Sequence, residues 1–191
     1  MQELKLANLL RQEKFNAVEI TSFVEKFEVV TLRKGDHILK EGQICTFLGF
    51  VDKGLLIYYN LSEDGDEKIC DFAVENQWVT QYQSMSTGSK SLLSIKALEP
   101  TILLKISYQN LINIAEKIPR IETYYKKMID NFLFTMVGRT NDFQNLVAEE
   151  RYSKFVKENP QLIQRLPQYY LASFLGIAPQ SLSRIRKNNF R

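Results

Sequence analysis

The sequence predicts an α+β protein: an antiparallel β-roll, then one long helix, then a C-terminal helix-turn-helix. Three observations predict it. Short β-branched and aromatic runs separated by glycine turns fill Val29 to Ile106, a stretch without strong breakers follows Pro119, and Gln168 to Lys187 carries the spacing of two crossed helices. With 191 residues and 45% apolar content the chain can bury one good core or two small ones.

Residues 3–26 read as one or two helices, with Leu4, Leu6, Leu9 and Leu10, then Val18, Phe23, Val24 and Phe27 as apolar positions, and Asn16 as an N-cap. The strand-like runs are Val29 to Leu32, Phe47 to Val51, Leu55 to Leu61, Lys68 to Ala73, Ser94 to Leu98 and Thr101 to Ser107. Turns fall at Gly35, Gly42, Gly54, Gly65 and Pro100, a spacing that indicates a roll or barrel. A short helix, Tyr108 to Lys117, leads to Pro119, which opens a helix reaching about Leu146. Two of its i+4 rows are apolar: Ile121, Tyr125, Ile129, Leu133 and Val137, beside Tyr124, Met128, Phe132 and Met136. One row suffices to pack on the roll, so the other is expected to meet the same helix of a second subunit. A further helix from Ala148 to Glu158 stops at Asn159-Pro160. These readings give three segments: a roll over 1–118, a dimerisation helix over 119–146 and a helix-turn-helix unit over 147–191.

Composition removes several classes of function. Cys45 and Cys70 show no CxxC spacing and read as reduced thiols in strand-like contexts, so no disulfide framework, zinc site or iron-sulfur site is expected. His37 is the only histidine, too few for zinc hydrolases or two-histidine oxygenases; no metal, cofactor or catalytic residue is expected, and the chain is not read as an enzyme. No apolar run approaches the ~20 residues of a membrane span, and Met1 to Phe15 alternates charge with leucine, which places the chain in the cytoplasm.

Net charge is only +3, but Asn159 to Arg191 has no Asp or Glu and contributes +5 through Arg165, Arg184, Arg186, Lys187 and Arg191. That segment contains the pattern QYYLASFLGIAPQSLSRIRK. Leu171 and Leu175 share one helix face with Ala172 at the crossing; Gly176 supplies the turn and Ile177 the corner. Pro179 opens the second helix, which buries Leu182 and Ile185. The opposite face carries Gln180, Ser183, Arg184 and Lys187 without an acid or a large apolar group. Arg184 fits guanine O6 and N7, Gln180 an adenine or other base edge, and Ser181, Ser183 and Lys187 phosphates or short base contacts; Arg186 and Arg191 lie to the side as backbone clamps.

Together, Leu32 to Gly42, Phe50 to Gly54, Asp64 to Ile69, Glu150-Arg151-Tyr152 and Leu171 to Arg186 resemble the Crp/Fnr superfamily, named for the cyclic-AMP receptor protein and the fumarate-nitrate reduction regulator. The resemblance covers essentially the whole chain. It implies a cyclic-nucleotide-binding-like roll of jelly-roll type, a dimer helix and a winged helix-turn-helix, in a bacterial homodimer that regulates transcription on double-stranded DNA and contacts RNA polymerase. Where the family commonly has glutamate and arginine four apart as base readers, this sequence has Gln180 and Arg184, so its half-site is its own. Only four residues follow Lys187, too few for a wing after the recognition helix. The family's cyclic-nucleotide binders use a glycine-glutamate pair and, about ten residues on, an arginine followed by a small hydroxyl residue. Thr80-Gln81 and Ser91-Leu92 stand there, with Lys90 a poor substitute for the guanidinium; Thr80, Gln81, Lys90 and Ser91 are the candidate effector residues, and cyclic AMP is not the expected effector. Ser84 to Ser91 is expected as an exposed hairpin tip rather than an anion cradle. The competing class of function is a small-molecule sensor or adaptor working through protein contacts; a cupin-type enzyme stands third.

Overall fold

The computed structural model describes residues 5–189; Leu4 and Arg191 lie outside them. The elements follow in chain order: α1 (Lys5–Gln12), α2 (Ala17–Val24), β1 (Glu28–Leu32), β2 (His37–Leu39), β3 (Phe47–Lys53), β4 (Leu55–Leu61), β5 (Glu67–Val74), β6 (Trp78–Val79), α3 (Tyr82–Thr87), β7 (Ser94–Ala97), β8 (Thr101–Ser107), α4 (Tyr108–Lys117), α5 (Pro119–Asn145), α6 (Ala148–Glu158), a 3-10 turn Pro160–Leu162, α7 (Gln168–Leu175) and α8 (Pro179–Asn189). Contacts divide them into two compact units: the chain up to Asn60 with Cys70–Lys127, and Leu61–Ile69 with the chain from Met128 onward.

In the first unit two four-stranded sheets form the roll, in the orders β1-β8-β3-β6 and β2-β7-β4-β5. Pairing is antiparallel, with Leu32 opposite Thr101 and Phe50 opposite Leu104. Phe50, Val51, Leu55, Leu56, Ile57, Ile95, Leu103 and Ile106 are fully or almost fully buried and make the core. β4 shows how sequence builds it: Leu55, Leu56 and Ile57 are buried, and Asn60 and Leu61, toward the hairpin end, are exposed. Gly54 makes the β3 to β4 turn at φ +113°, and a Cβ there would stand 2.7 Å from the Thr101 backbone, so the close approach requires glycine.

Asn16 caps α2 through a reciprocal box: its side chain accepts from the Glu19 amide, and Glu19 accepts from the Asn16 amide. β2, β6 and α3 were not expected from sequence. β2 and β6 have three and two residues, too short for alternation to register, and each is held by its neighbours, β6 through Trp78, whose ring lies 5.2 Å from Phe50. α3 replaces part of the expected hairpin tip: Gln81 accepts from the Ser84 amide at its start, and Gly88 closes it in the left-handed region. Ser84 is buried, with its hydroxyl accepting from the Cys45 amide at 2.8 Å, so this segment is anchored rather than free. Cys45 stands in the loop before β3, not in a strand, while Cys70 lies in β5; neither is in a disulfide.

The division of α5 also differs from expectation. Both apolar rows begin covered: Ile121 is buried and Tyr124, Tyr125, Met128 and Ile129 are half-buried. Farther along, Leu133 at 52%, Val137 at 68% and Phe132 at 49% are exposed while Met136 stays half-buried; Phe134, on neither row, reaches 73%. The helix has 27 residues, about 40 Å, more length than the surface covering its start, so coverage divides along the axis instead of around it. Among the described residues no helix is long and apolar enough to cross a membrane, and no cluster of three His, Cys, Asp or Glu is placed to hold a metal.

Candidate nucleic-acid interface

The second unit gathers its small core from α6, α7, α8 and the segment joining α6 to α7: Tyr152, Phe155, Leu162, Leu166, Tyr170, Leu171, Ala172, Leu175 and Leu182 are buried. α6 ends at Asn159 before Pro160, as the avoidance of helical backbone before proline requires. α7 ends in a Schellman turn: Gly176 at φ +67° donates to the Ser173 carbonyl at 3.1 Å, and the Ile177 amide donates to the Ala172 carbonyl at 3.0 Å. α8 follows at Pro179, anchored by Leu182, which is fully buried, and by half-buried Ile185. Residues 147–189 contain no strand, so this head is made of helices and turns alone.

Anchoring Leu182 turns the other side of α8 outward. Gln180, Ser181, Ser183, Arg184 and Lys187 are exposed and Arg186 is half-buried. Gln180, Arg184 and Lys187 follow the i, i+4, i+7 stripe, which no acidic residue interrupts. The 11-residue helix is about 16 Å long, short enough to lie in a major groove, and its stripe presents one planar fork, one amide and one ammonium.

Several contacts that hold α7 have no periodic signal in the sequence. The Tyr170 hydroxyl donates to Glu67 Oε2 at 2.6 Å and the Ile69 amide donates to Ser173 Oγ at 3.0 Å, tying the β4 to β5 tip to α7 within this unit. Burial, followed by the bond to Glu67, holds the Tyr170 phenol well above its ordinary range. From α6, Arg151 donates to the Leu146 carbonyl through Nη1 and to the Leu175 carbonyl through Nε and Nη2.

The effector candidates belong to the roll, and their polar atoms are engaged locally. Thr80 donates to the Phe47 carbonyl at 2.8 Å, Gln81 serves as the cap of α3, and Ser91 is buried with its hydroxyl donating to the Leu93 carbonyl. Lys90 is exposed and bridges Ile44 through the backbone. A group that sequence reasoning missed is a set of phenols. Burial raises Tyr58, with Asp71 adding to it, and raises Tyr125, with Tyr108, Tyr82 and Cys45 adding to it. The Tyr125 hydroxyl is buried without a hydrogen-bond partner. An orphaned buried hydroxyl costs about 1–3 kcal/mol, so Tyr125→Phe should raise stability by about 1 kcal/mol in urea unfolding. A comparable loss would mean that the hydroxyl is satisfied.

Comparison with known proteins places this architecture. The sequence pattern of the cyclic nucleotide-binding domain matches residues 29–117, from β1 through α4. The chain is 23% identical over 167 residues to the transcriptional activator protein Anr of Pseudomonas protegens, and 21% identical over 165 residues to the fumarate and nitrate reduction regulatory protein of Vibrio cholerae. Each match spans 81% of this chain, and 67% and 65% of those proteins. The chain is thus similar to transcription regulators of the fumarate and nitrate reduction type and carries a cyclic nucleotide-binding domain in its first unit. The solved structure of FixK2 from Bradyrhizobium japonicum superimposes with a TM-score of 0.75 at 17% identity, covering 85% of this chain and 83% of that one.

Proposed function

We propose that this chain is a cytoplasmic, homodimeric regulator of transcription of the Crp/Fnr type that reads a near-palindromic operator with α8 and acts by binding rather than catalysis. One observation carries the reading: an anchored helix-turn-helix whose outward face bears Gln180, Arg184 and Lys187 with no acid. Arg184 reads guanine bidentately and Gln180 reads a neighbouring base edge; Ser181, Ser183, Arg186 and Lys187 engage phosphates or short base contacts. Exposed Phe132, Leu133 and Val137 on α5 supply the seam between two subunits, which sets the two recognition helices ~34 Å apart in successive major grooves. RNA polymerase is the expected protein partner of the bound dimer. Ser91 stands where cyclic-nucleotide binders of the Crp/Fnr type place the arginine that holds the cyclic phosphate, so an effector acting there is not cyclic AMP; Thr80, Gln81, Lys90 and Ser91 are its candidate contacts.

The test is salt-dependent binding of a labelled duplex. A phosphate contact releases a counterion, so Lys187→Ala should reduce the slope of log K against log salt by about 1 per subunit and leave base preference intact. Binding that is absent at every salt concentration would favour an adaptor working through protein contacts.

A further inference from the structure

The corner where α5 ends, α6 begins and α7 turns toward α8 is tied by one side chain. A helix leaves its last carbonyls without intrahelical donors. The turn after α7 satisfies those of Ala172 and Ser173, but the Leu175 carbonyl needs a donor from elsewhere. Arg151 supplies two, from Nε at 3.2 Å and Nη2 at 3.1 Å, while its Nη1 donates to the Leu146 carbonyl, just past α5, at 2.7 Å. The guanidinium also lies 5.0 Å over the Phe143 ring. Phe143 in turn closes on the turn glycine, where a Cβ at Gly176 would come within 2.9 Å of Cε1. Two further contacts brace the corner: Arg139 over Phe174 at 4.7 Å, and Lys154 with Asp142 at 2.6 Å.

We propose that Arg151 is the positioning residue through which the end of α5 fixes the direction of α8, and that in the dimer it thereby sets which half-site spacing is accepted. The inference rests on the DNA-reading function proposed above. A planar fork that serves two helix ends at once holds their relative direction, which a flexible ammonium with a single point of charge does not reproduce. Each inserted base pair rotates the second half-site by about 35° and moves it about 3.4 Å. A rigid corner cannot follow that displacement, whereas a slack one can. Arg151 directs its bonds to backbone carbonyls within the unit, so base preference within a half-site should not depend on it.

The experiment measures binding to the selected half-site at a ladder of spacer lengths, with hydrogen exchange of the peptide containing Leu175 to Ile177 as a readout independent of DNA. Wild type should lose at least about tenfold in affinity for one base pair added or removed, equivalent to about 1.4 kcal/mol. Arg151→Gln should keep the half-site sequence, reduce that discrimination to about twofold and speed exchange at the turn. Arg151→Lys should resemble Arg151→Gln, and Phe143→Leu, at a half-exposed position that the fold tolerates, should shift discrimination the same way by less. If Arg151→Gln does not fold, Phe143→Leu decides. Unchanged spacer discrimination in the folded variants, with wild type selecting its site, overturns the inference and leaves the DNA-reading function standing. A wild type that selects no sequence removes that function, and the spacing role with it.

Discussion

Arg184→Ala should weaken operator binding by about 30-fold to 10⁴-fold at fixed salt. The range follows from about 1–3 kcal/mol for one bidentate base contact, counted once in each of two half-sites. Arg184 is exposed on α8 and opposite the buried Leu182, so its removal should leave thermal unfolding of the head unchanged. The variant should also accept substitutions at the base that Arg184 faces, because the fork that penalises a wrong acceptor pattern is gone. Anisotropy titrations against the selected duplex and its single-base variants measure both effects. Wild-type affinity in this variant would remove Arg184 from base reading and leave Gln180 as the only specific reader proposed.

Leu133→Glu should abolish the dimer, and with it at least about 100-fold of specific affinity. Leu133 is 52% exposed in the single chain, so the added carboxylate stays hydrated there and folding is retained. In a seam made by two copies of α5, the same carboxylate would face its own symmetry mate in an apolar setting, where unpaired charge costs several kcal/mol. A single head then has one half-site's contacts, near the non-specific range of about 10⁻⁴ to 10⁻⁶ M. Sedimentation should report a monomer where wild type is a dimer. Retained dimer would place the subunit contact elsewhere than Phe132 to Val137.

The helix-turn-helix was the most legible part of the sequence because its constraints sit at fixed offsets. Leu171, Ala172, Leu175, Gly176 and Leu182 each meet a steric requirement that few other residues satisfy, and each is found where that requirement places it. The long runs of the roll were legible through alternation and turn glycines, Gly54 above all. β2, β6 and α3 were not, because segments of two to six residues take their structure from neighbours rather than from their own pattern. The rows on α5 were read correctly as apolar, but sequence periodicity describes the circumference of a helix and carries no information on where along its axis cover ends. The hydrogen-bonding roles of Arg151 and of the Tyr125 hydroxyl were illegible for a third reason. Their significance is a three-dimensional match, or mismatch, of hydrogen-bonding groups from distant residues.

Base-reading chemistry on α8 is the central claim, and selection from a random duplex pool tests it most directly. The account predicts enrichment of a two-fold symmetric site with half-sites about 10 base pairs apart centre to centre, a guanine facing Arg184 and a half-site differing from that read by a glutamate-arginine pair. Enrichment of no sequence, or of a single asymmetric site bound by a monomer, would contradict it.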